Sequence, residues 1–443
     1  MLRRIEALNY RGLKHIAQDL VPFQILVGAN ASGKSTFLDV LSFVGDLVQL
    51  GLDDAILKRA RNLDELIFKQ SADSFSFALE FDLPFGVSNQ KQPISYDLFR
   101  YEIEIGKGGE GEAKIWQERF LFGNVGGYAT LPYSPLSPVL PLSVEDQDSL
   151  GLGADWLTLV DTRRIPLKSV LPAEIEQEWD FDSASVLNMA LHSLPMHLNV
   201  GAIKHILTND AMLVRPDVSK MKQPASPIKS QGFRPDGSKL PFLIKRLQTK
   251  HPQVYQDWLS HVQTILPDIE DIKVIEQEYD RNLFIAIQYR QMEKPVNAWL
   301  VSDGTLYILL LTIIAYLPDD QSIYMIEEPE NGIHPLAIEG VYEVLSSAYD
   351  KQIFVATHSP LFLGSAKPKE ILCFSKNADG AVEIVRGDNH PALQEWQGEI
   401  PLSTLYAGGV FGNGRPARFG GRRADASDSR DPARETPRRA WHT

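Results

Sequence analysis

The residues best suited to chemistry in this 443-residue chain form a glycine-rich stretch near its start. The run Gly28-Ala29-Asn30-Ala31-Ser32-Gly33-Lys34-Ser35-Thr36 satisfies G-x-x-x-x-G-K-[ST], a pattern whose backbone N–H groups surround phosphate oxygens. Lys34 is expected to reach the β- and γ-phosphates, and the Ser35 hydroxyl is expected to ligate Mg²⁺. The pattern therefore predicts a site for a nucleoside triphosphate.

The flanks of this stretch have the composition that a phosphate-binding loop needs. Residues 23–27 form a short apolar run, which predicts a buried strand. After the loop, apolar residues recur at helical spacing from Phe37 to Val48. The order strand, glycine loop, helix directs the positive end of a helix dipole at the phosphates. A coincidental glycine turn before an ordinary helix is the alternative, and the flanks disfavour it.

Two acidic residues follow a second apolar strand, predicted over residues 323–326. A carboxylate at the end of a buried strand beside a phosphate loop is where Mg²⁺ needs an acidic partner, and Glu327 fits that role. Glu328 is expected to point away from the metal and to polarise the attacking water. Taken alone, an acidic helix N-terminus explains the pair equally well. The phosphate loop favours the catalytic interpretation.

Two more candidate sites lie at the ends of predicted elements. Ser302 and Gly304 open an apolar helix, where free N–H groups and a hydroxyl form an anion site, although a plain N-cap explains the serine as well. His358 follows a strand predicted over residues 353–356, and a histidine there can hydrogen-bond a γ-phosphate. A lone histidine is usually structural, but this one is the fourth member of an ordered series of motifs.

That series resembles the ABC-type ATPase heads of the RecF, SMC and OLD group. Its members are G-x-x-x-x-G-K-S-T, S-D-G-T, a strand ending in E-E-P-E-N-G-I-H-P, and A-T-H-S-P. The sequence is most similar to the stand-alone bacterial ATPases of the AAA15 and AAA_21 families, over about residues 1–412. The resemblance implies an α/β fold: a P-loop NTPase of ABC-ATPase type with an N-terminal antiparallel β lobe and a helical insertion.

The resemblance also implies roles for the candidate residues, with ATP and Mg²⁺ as the ligands. Gly28 to Thr36 becomes the Walker A loop, Glu327 the Walker B acid, Glu328 the catalytic base and His358 the switch histidine. Ser302 and Gly304 belong to the signature motif, and residues 331–335 form the D-loop. The signature is not L-S-G-G-Q, which weakens an interpretation as a transporter motor. Gly332 replaces a residue that is usually larger, and Ala31 replaces a common glycine.

The remaining pattern predicts how the chain is organised. Alternating segments at 74–82, 101–105 and 114–122 predict an antiparallel meander, and residues 272–279 and 282–289 predict a hairpin. Residues 145–266 are mostly helical by pattern. The predicted domains are 1–129 and 267–412 as the two parts of the head, 130–266 as the inserted lobe, and 413–443 as a disordered tail. Tyr10 and Arg11 are expected either to contact the nucleotide or to lie in a solvated hairpin.

Composition limits the classes of protein that fit. The net charge of −13 argues against a protein that coats nucleic acid non-specifically. A single cysteine, Cys373, rules out a disulfide framework and suits a reducing cytoplasm. The longest apolar run, residues 306–317, is too short to span a bilayer, and no leader opens the sequence. We therefore expect a cytoplasmic protein without a membrane segment.

Three functional classes remain open. The first is a DNA-associated or antiphage-defence ATPase that acts as a head-to-tail homodimer, with any nuclease effector on a separate chain. The second is a nucleotide-dependent scaffold with little turnover, and the third is a transporter ATPase subunit. Residues 412–443 contain eight arginines, four acids and no lysine, which predicts a disordered tail, with a nucleic-acid-binding arm as the alternative.

Overall fold

The computed structural model describes residues 1–88, 95–109, 111–123, 156–161, 203–227, 232–318, 322–394, 400–409 and 411. The strands are β1 (Leu2–Tyr10), β2 (Leu13–Asp19), β3 (Phe23–Val27), β4 (Ser74–Ser88), β5 (Ser95–Lys107), β6 (Ala113–Gly123), β7 (Trp156–Asp161), β8 (Ala211–Val214), β9 (Ile269–Glu276), β10 (Leu283–Tyr289), β11 (Val296–Asn297), β12 (Ile323–Glu327), β13 (Gln352–Thr357), β14 (Ile371–Lys376) and β15 (Val382–Arg386). The α-helices are α1 (Lys34–Leu50), α2 (Leu52–Leu57), α3 (Val218–Met221), α4 (Leu240–Lys250), α5 (Pro252–Ile265), α6 (Asp303–Ile314), α7 (Pro335–Ser346), α8 (Pro391–Gln394) and α9 (Leu402–Ala407).

The central sheet contains the strand that precedes the glycine loop. Its order is β15-β14-β3-β13-β12-β8, and every neighbouring pair is parallel except β14 with β15. Successive side chains of a strand point to opposite faces. Accordingly, Met325 packs in the core on the α1 side of the sheet and Ile326 in the core on the other side. The carboxyl ends of β3, β12 and β13 therefore bring their following loops to one edge.

A second sheet forms the antiparallel lobe, which confirms the predicted fold class. Its order is β2-β1-β4-β5-β6-β7, and it contains the predicted meander as β4, β5 and β6. Tyr10 is buried here, and its ring packs against Phe43 of α1 and against Phe75 and Phe77 of β4. The expectation of an exposed or nucleotide-contacting tyrosine is therefore wrong, because the ring fills the core between the lobe and α1.

The other face of the central sheet is covered by helices. Residues of α4, α5, α6 and α7 share one apolar core with β3 and β12. Trp258 of α5 is fully buried there and donates its indole N–H to the Thr312 hydroxyl of α6 at 3.0 Å. The predicted apolar helix is α6, and the predicted hairpin is β9 with β10, extended by β11.

Strands also occur in the region that was predicted to be mostly helical. In the described part of residues 145–266, β7 extends the antiparallel lobe and β8 pairs with β12 in the central sheet. Both are short, so the helical pattern around them hid their signal. The proline-rich connector at 130–143 and the tail at 413–443 lie outside the described residues, and the domain boundaries stay a prediction. No helix among the described residues is long and apolar enough to cross a membrane.

Candidate functional site

The glycine loop joins β3 to α1 as the sequence predicted. Gly33 precedes the first residue of the helix with φ 108°, in the left-handed region that favours glycine. A Cβ at this position would lie 2.4 Å from the Val382 side chain, so a larger residue does not fit. No side chain caps the helix, so its first backbone N–H groups have no capping partner. An uncapped helix N-terminus of this kind suits an anion.

Lys34 is held against the loop that precedes it. Its ammonium donates to the carbonyl oxygens of Gly28 at 2.8 Å and of Ala29 at 3.1 Å. Burial lowers the pKa of the Lys34 ammonium below its ordinary value. The carboxylates that act against this shift belong to Glu328, Glu330 and Glu327. The Lys34 ammonium is thus desolvated and lies near acidic residues at the end of β12 and in the loop after it. This environment suits a cation that binds an anionic ligand.

One cavity of about 420 Å³ brings the separate motifs together. Its lining residues are Asn30, Ala31, Lys34, Ser35, Tyr307, Glu327, Glu328, Asn331 and Ala356. The parallel pairing of β12 with β13 and of β13 with β3 creates this arrangement, because the loops after all three strands start at the same edge. The structure therefore places Glu327 and Glu328 beside Lys34 and Ser35, although about 290 residues separate them in sequence.

Glu328 lies in a network with His358 and Asn331. The amide of Asn331 donates to one carboxylate oxygen of Glu328, and His358 Nδ1 lies 3.3 Å from the other. Glu330 accepts the Thr357 hydroxyl at 2.7 Å and the His358 backbone N–H at 3.3 Å. These contacts connect the loop after β12 to the loop after β13. The predicted base and the predicted switch histidine are therefore direct neighbours.

Observations on the loop itself test whether a nucleotide with a metal ion fits. The Ser32 hydroxyl is buried and has no hydrogen-bond partner among the described residues. In the same part of the chain, no group of three or more His, Cys, Asp or Glu side chains is arranged to hold a metal ion. Mg²⁺ is typically bound by one or two protein oxygens together with substrate phosphates, so Ser35 and Glu327 suit it better than a protein cage would. The residues present fit the pair of ligands.

Ser302 and Gly304 lie at the start of α6, about one turn before the cavity-lining Tyr307. Ser302 is the N-cap of α6 and accepts the Thr305 backbone N–H at 3.2 Å. A Cβ on Gly304 would lie only 2.5 Å from the Gly332 carbonyl oxygen, so the start of α6 packs directly on the loop at 331–335. Neither Ser302 nor Gly304 lines the cavity around Lys34. Within one chain, the structure does not bring the predicted signature to the phosphate loop.

Two residues at the site, Tyr307 and Arg215, were missed by sequence reasoning. Tyr307, one turn into α6, lines the cavity, and burial together with Glu330 and Glu328 raises its pKa to about 12. Arg215 follows β8, and its guanidinium lies 3.9 Å from the Glu327 carboxylate. An arginine after a short apolar strand was the available signal for the second residue. Gln70, which precedes β4, is exposed in the turn Phe68–Gln70 and lines neither the Lys34 cavity nor the cavity along α1.

Comparison with solved structures identifies the class to which this fold belongs. An SMC head bound to the C-terminal winged-helix domain of ScpA superposes with a TM-score of 0.51 at 14% identity, covering 87% of this chain and 96% of that one. The SMC head domain from Thermotoga maritima gives a TM-score of 0.42 at 11% identity, with 87% and 98% covered. On the first of these superpositions, the fold is that of an SMC head, which is a P-loop ATPase head of ABC type.

The sequence itself identifies the family. The profile of AAA_21, described as "AAA domain, putative AbiEii toxin, Type IV TA system", matches residues 23–123 and 215–364. The chain belongs to the AAA_21 family, which confirms the resemblance inferred from the motifs. No curated protein matches the chain.

Proposed function

We propose that this protein binds ATP with Mg²⁺ and hydrolyses it. The main observation in support of this proposal is the cavity at the uncapped start of α1, which is lined by Lys34, Ser35, Glu327 and Glu328. In this proposal the loop at 28–36 holds the phosphates, and Glu328 orients and deprotonates the attacking water as the general base. Ser35 and Glu327 would hold Mg²⁺, which would neutralise charge on the phosphates when bound. His358 positions Glu328 and responds to the terminal phosphate.

We further propose that the complete site forms between two copies of the chain. The start of α6 is exposed and lies outside the Lys34 cavity, so a partner's Ser302 and Gly304 are available to close it. Closing the site with a second anion-binding helix end stabilises the spread charge of the transition state. Head-to-tail pairing of this kind gives two nucleotides at a two-fold interface.

Exposed leucines support an interface at this edge. Leu300 lies just before Ser302, Leu336 just after the loop at 331–335, and Leu361 just after His358. Their exposed fractions are 73%, 87% and 51%. The three side chains lie in α7 and in two short helical turns that flank the proposed site, and they support a contact surface for another protein there. A second copy of the chain is the occupant that also supplies Ser302.

A mixing experiment tests the hydrolysis and the shared site together. Lys34→Ala removes the phosphate-binding cation, and Ser302→Arg blocks the signature, so each variant alone is expected to be inactive. Mixed in equal amounts, the two chains should regain part of the Mg²⁺-dependent phosphate release, because each heterodimer retains one intact site. Differently tagged chains verify that heterodimers form. A mixture that stays inactive although heterodimers are present contradicts the shared site.

One observation favours the scaffold alternative as a second candidate. Glu328 is engaged by Asn331 and faces His358, so its carboxylate is occupied in this arrangement. A base held in this way suits slow turnover until a partner rearranges the loop after β12. Tight ATP-dependent assembly combined with phosphate release that stays slow in the assembled state would favour the scaffold over the ATPase motor.

For the cellular role, we propose a cytoplasmic defence or DNA-associated ATPase that passes its nucleotide state to a separate effector, such as a nuclease. The family description, which refers to a toxin system, supports this direction. The buried free thiol of Cys373 suits a reducing compartment. Affinity purification of Glu328→Gln with and without ATP tests the proposal. An effector or DNA whose binding depends on the nucleotide state should be captured only when ATP is present.

A further inference from the structure

The cavity along α1 contains a cation that the proposed chemistry has not used. This cavity of about 770 Å³ borders the phosphate loop at Ser35 and Thr36 and also reaches Glu327. Arg215 also lines it. Ile326 of β12 pairs with Val214 of the parallel strand β8. Glu327 and Arg215 each come directly after one member of this pair and are therefore neighbours. Arg215 thus occupies the carboxyl edge of the sheet, where α/β folds place their ligands.

The other cations of this cavity are already neutralised. Asp39 accepts Arg11 at 3.1 Å and Arg59 at 2.7 Å. Asp46 pairs with Lys58 at 2.7 Å and with Arg59 at 2.8 Å. These pairs connect α1 to the hairpin at Arg11 and to the end of α2, which is a structural role.

Arg215 differs from those cations in its exposure and its contacts. Its side chain is 74% exposed, and among the described residues its one carboxylate contact is Glu327 at 3.9 Å, beyond hydrogen-bond distance. Its backbone, in contrast, is fixed, because its N–H donates to the Pro235 carbonyl oxygen at 3.0 Å. A fixed Cα with an unengaged guanidinium is an arrangement that suits recognition of a ligand.

We propose that Arg215 binds the terminal phosphate of the nucleoside triphosphate, an inference that rests on the proposed function. With Mg²⁺ bound, the negative charge of Glu327 would be shared with the metal, and Arg215 would lose its nearby anion. The phosphate oxygens are then the strongest acceptors within reach, and a guanidinium donates to them through two N–H groups. Contact with the last phosphate makes Arg215 a residue that distinguishes a triphosphate from a diphosphate.

Calorimetric titration with AMP-PNP and with ADP, both with Mg²⁺, tests this role. Arg215→Ala should weaken AMP-PNP binding about tenfold or more, as expected for loss of the charge-assisted hydrogen bonds to the phosphate, and should leave ADP binding within about twofold. Arg215→Lys should recover part of the difference because it retains a cation. Arg281→Ala is the matched control, since Arg281 is 73% exposed and pairs with one carboxylate, Glu276, on the β9–β10 hairpin.

The outcomes separate this inference from the proposed function. A wild-type protein that binds neither nucleotide overturns both. A wild-type protein that binds both, with an Arg215→Ala variant whose ratio of AMP-PNP to ADP affinity is unchanged, overturns the role of Arg215 alone. An equal loss for both nucleotides also overturns it, because that result means that Arg215 merely positions Glu327. Circular dichroism of each variant verifies that the fold is intact.

Discussion

Gly304→Ala tests the contact between the signature and the loop at 331–335. The added Cβ would lie 2.5 Å from the Gly332 carbonyl oxygen, whereas an ordinary contact needs at least 3.4 Å. The start of α6 and the neighbouring loop must therefore separate by roughly 1 Å. Because the obstructing atom belongs to the backbone, no side-chain rotation relieves the clash. Overpacking of this kind costs about 1–3 kcal/mol of folding stability.

The expected effect on activity follows from where the displaced loop leads. Residues 331–335 begin with Asn331, which holds Glu328, so the displacement reaches the proposed base. A shift of roughly 1 Å in a catalytic group lowers turnover by about 10²-fold. Nucleotide binding by the phosphate loop should change less than turnover, because Gly304 does not line the Lys34 cavity of its own chain. We therefore expect kcat to fall while the affinity for AMP-PNP is retained.

Phosphate release, calorimetric AMP-PNP binding and denaturant unfolding measure the three quantities. Gly109→Ala is the control, because a Cβ there meets nothing within 4 Å and its backbone needs no glycine. It should behave as wild type in all three assays. If Gly304→Ala matches this control in stability and in kcat, the start of α6 is not packed tightly on the loop at 331–335, and the two are not coupled.

Three other changes test separate parts of the site. Glu328→Gln should retain ATP binding but lower turnover about 10²–10⁴-fold, because it removes the general base; undiminished phosphate release from this variant refutes the role of Glu328. Lys34→Ala should instead lose nucleotide binding, measured by calorimetry. Leu336→Ser should weaken the ATP-dependent dimerisation measured by light scattering. The control is Tyr349→Ser, because Tyr349 is 86% exposed beyond the other end of α7 and should not affect dimerisation. Equal effects of the two substitutions argue against the interface. Glu330→Ala should lower unfolding stability by about 1–3 kcal/mol, because Thr357 and His358 lose their acceptor, and an unchanged denaturation midpoint contradicts this.

The parts of the fold that local pattern determines were predictable from the sequence. The glycine loop with its flanking strand and helix is a contiguous signal, and so are the apolar strand before Glu327 and the alternating strands of the meander. The order of the motifs identified the family. Such features depend on residues close together in the chain, where spacing and side-chain type carry the information.

The parts that depend on distant pairing were not predictable. β8 has four residues, and its identity as a strand comes from pairing with β12, more than 100 residues later. Arg215 acquires its position only through that pairing. Tyr10 was misjudged for a related reason, since a tyrosine beside a turn is usually exposed. Here Phe43, Phe75 and Phe77 surround its ring, and its hydroxyl donates to Asp39 at 2.6 Å.

Backbone strain around the cavity gives independent support for a functional site. Ala31 in the glycine loop has φ 59°, and Glu328 after β12 has φ 48°, both in the left-handed region. Each such residue costs on the order of 1–3 kcal/mol, and the cost persists only where surrounding contacts enforce the conformation. For Glu328 those contacts are two backbone hydrogen bonds. Its N–H donates to the Ala356 carbonyl oxygen at 2.7 Å, and its carbonyl oxygen accepts the Asn331 N–H at 2.9 Å. Both strained residues line the same cavity as Lys34. The strained backbone therefore lies where the proposed phosphate chemistry needs fixed geometry.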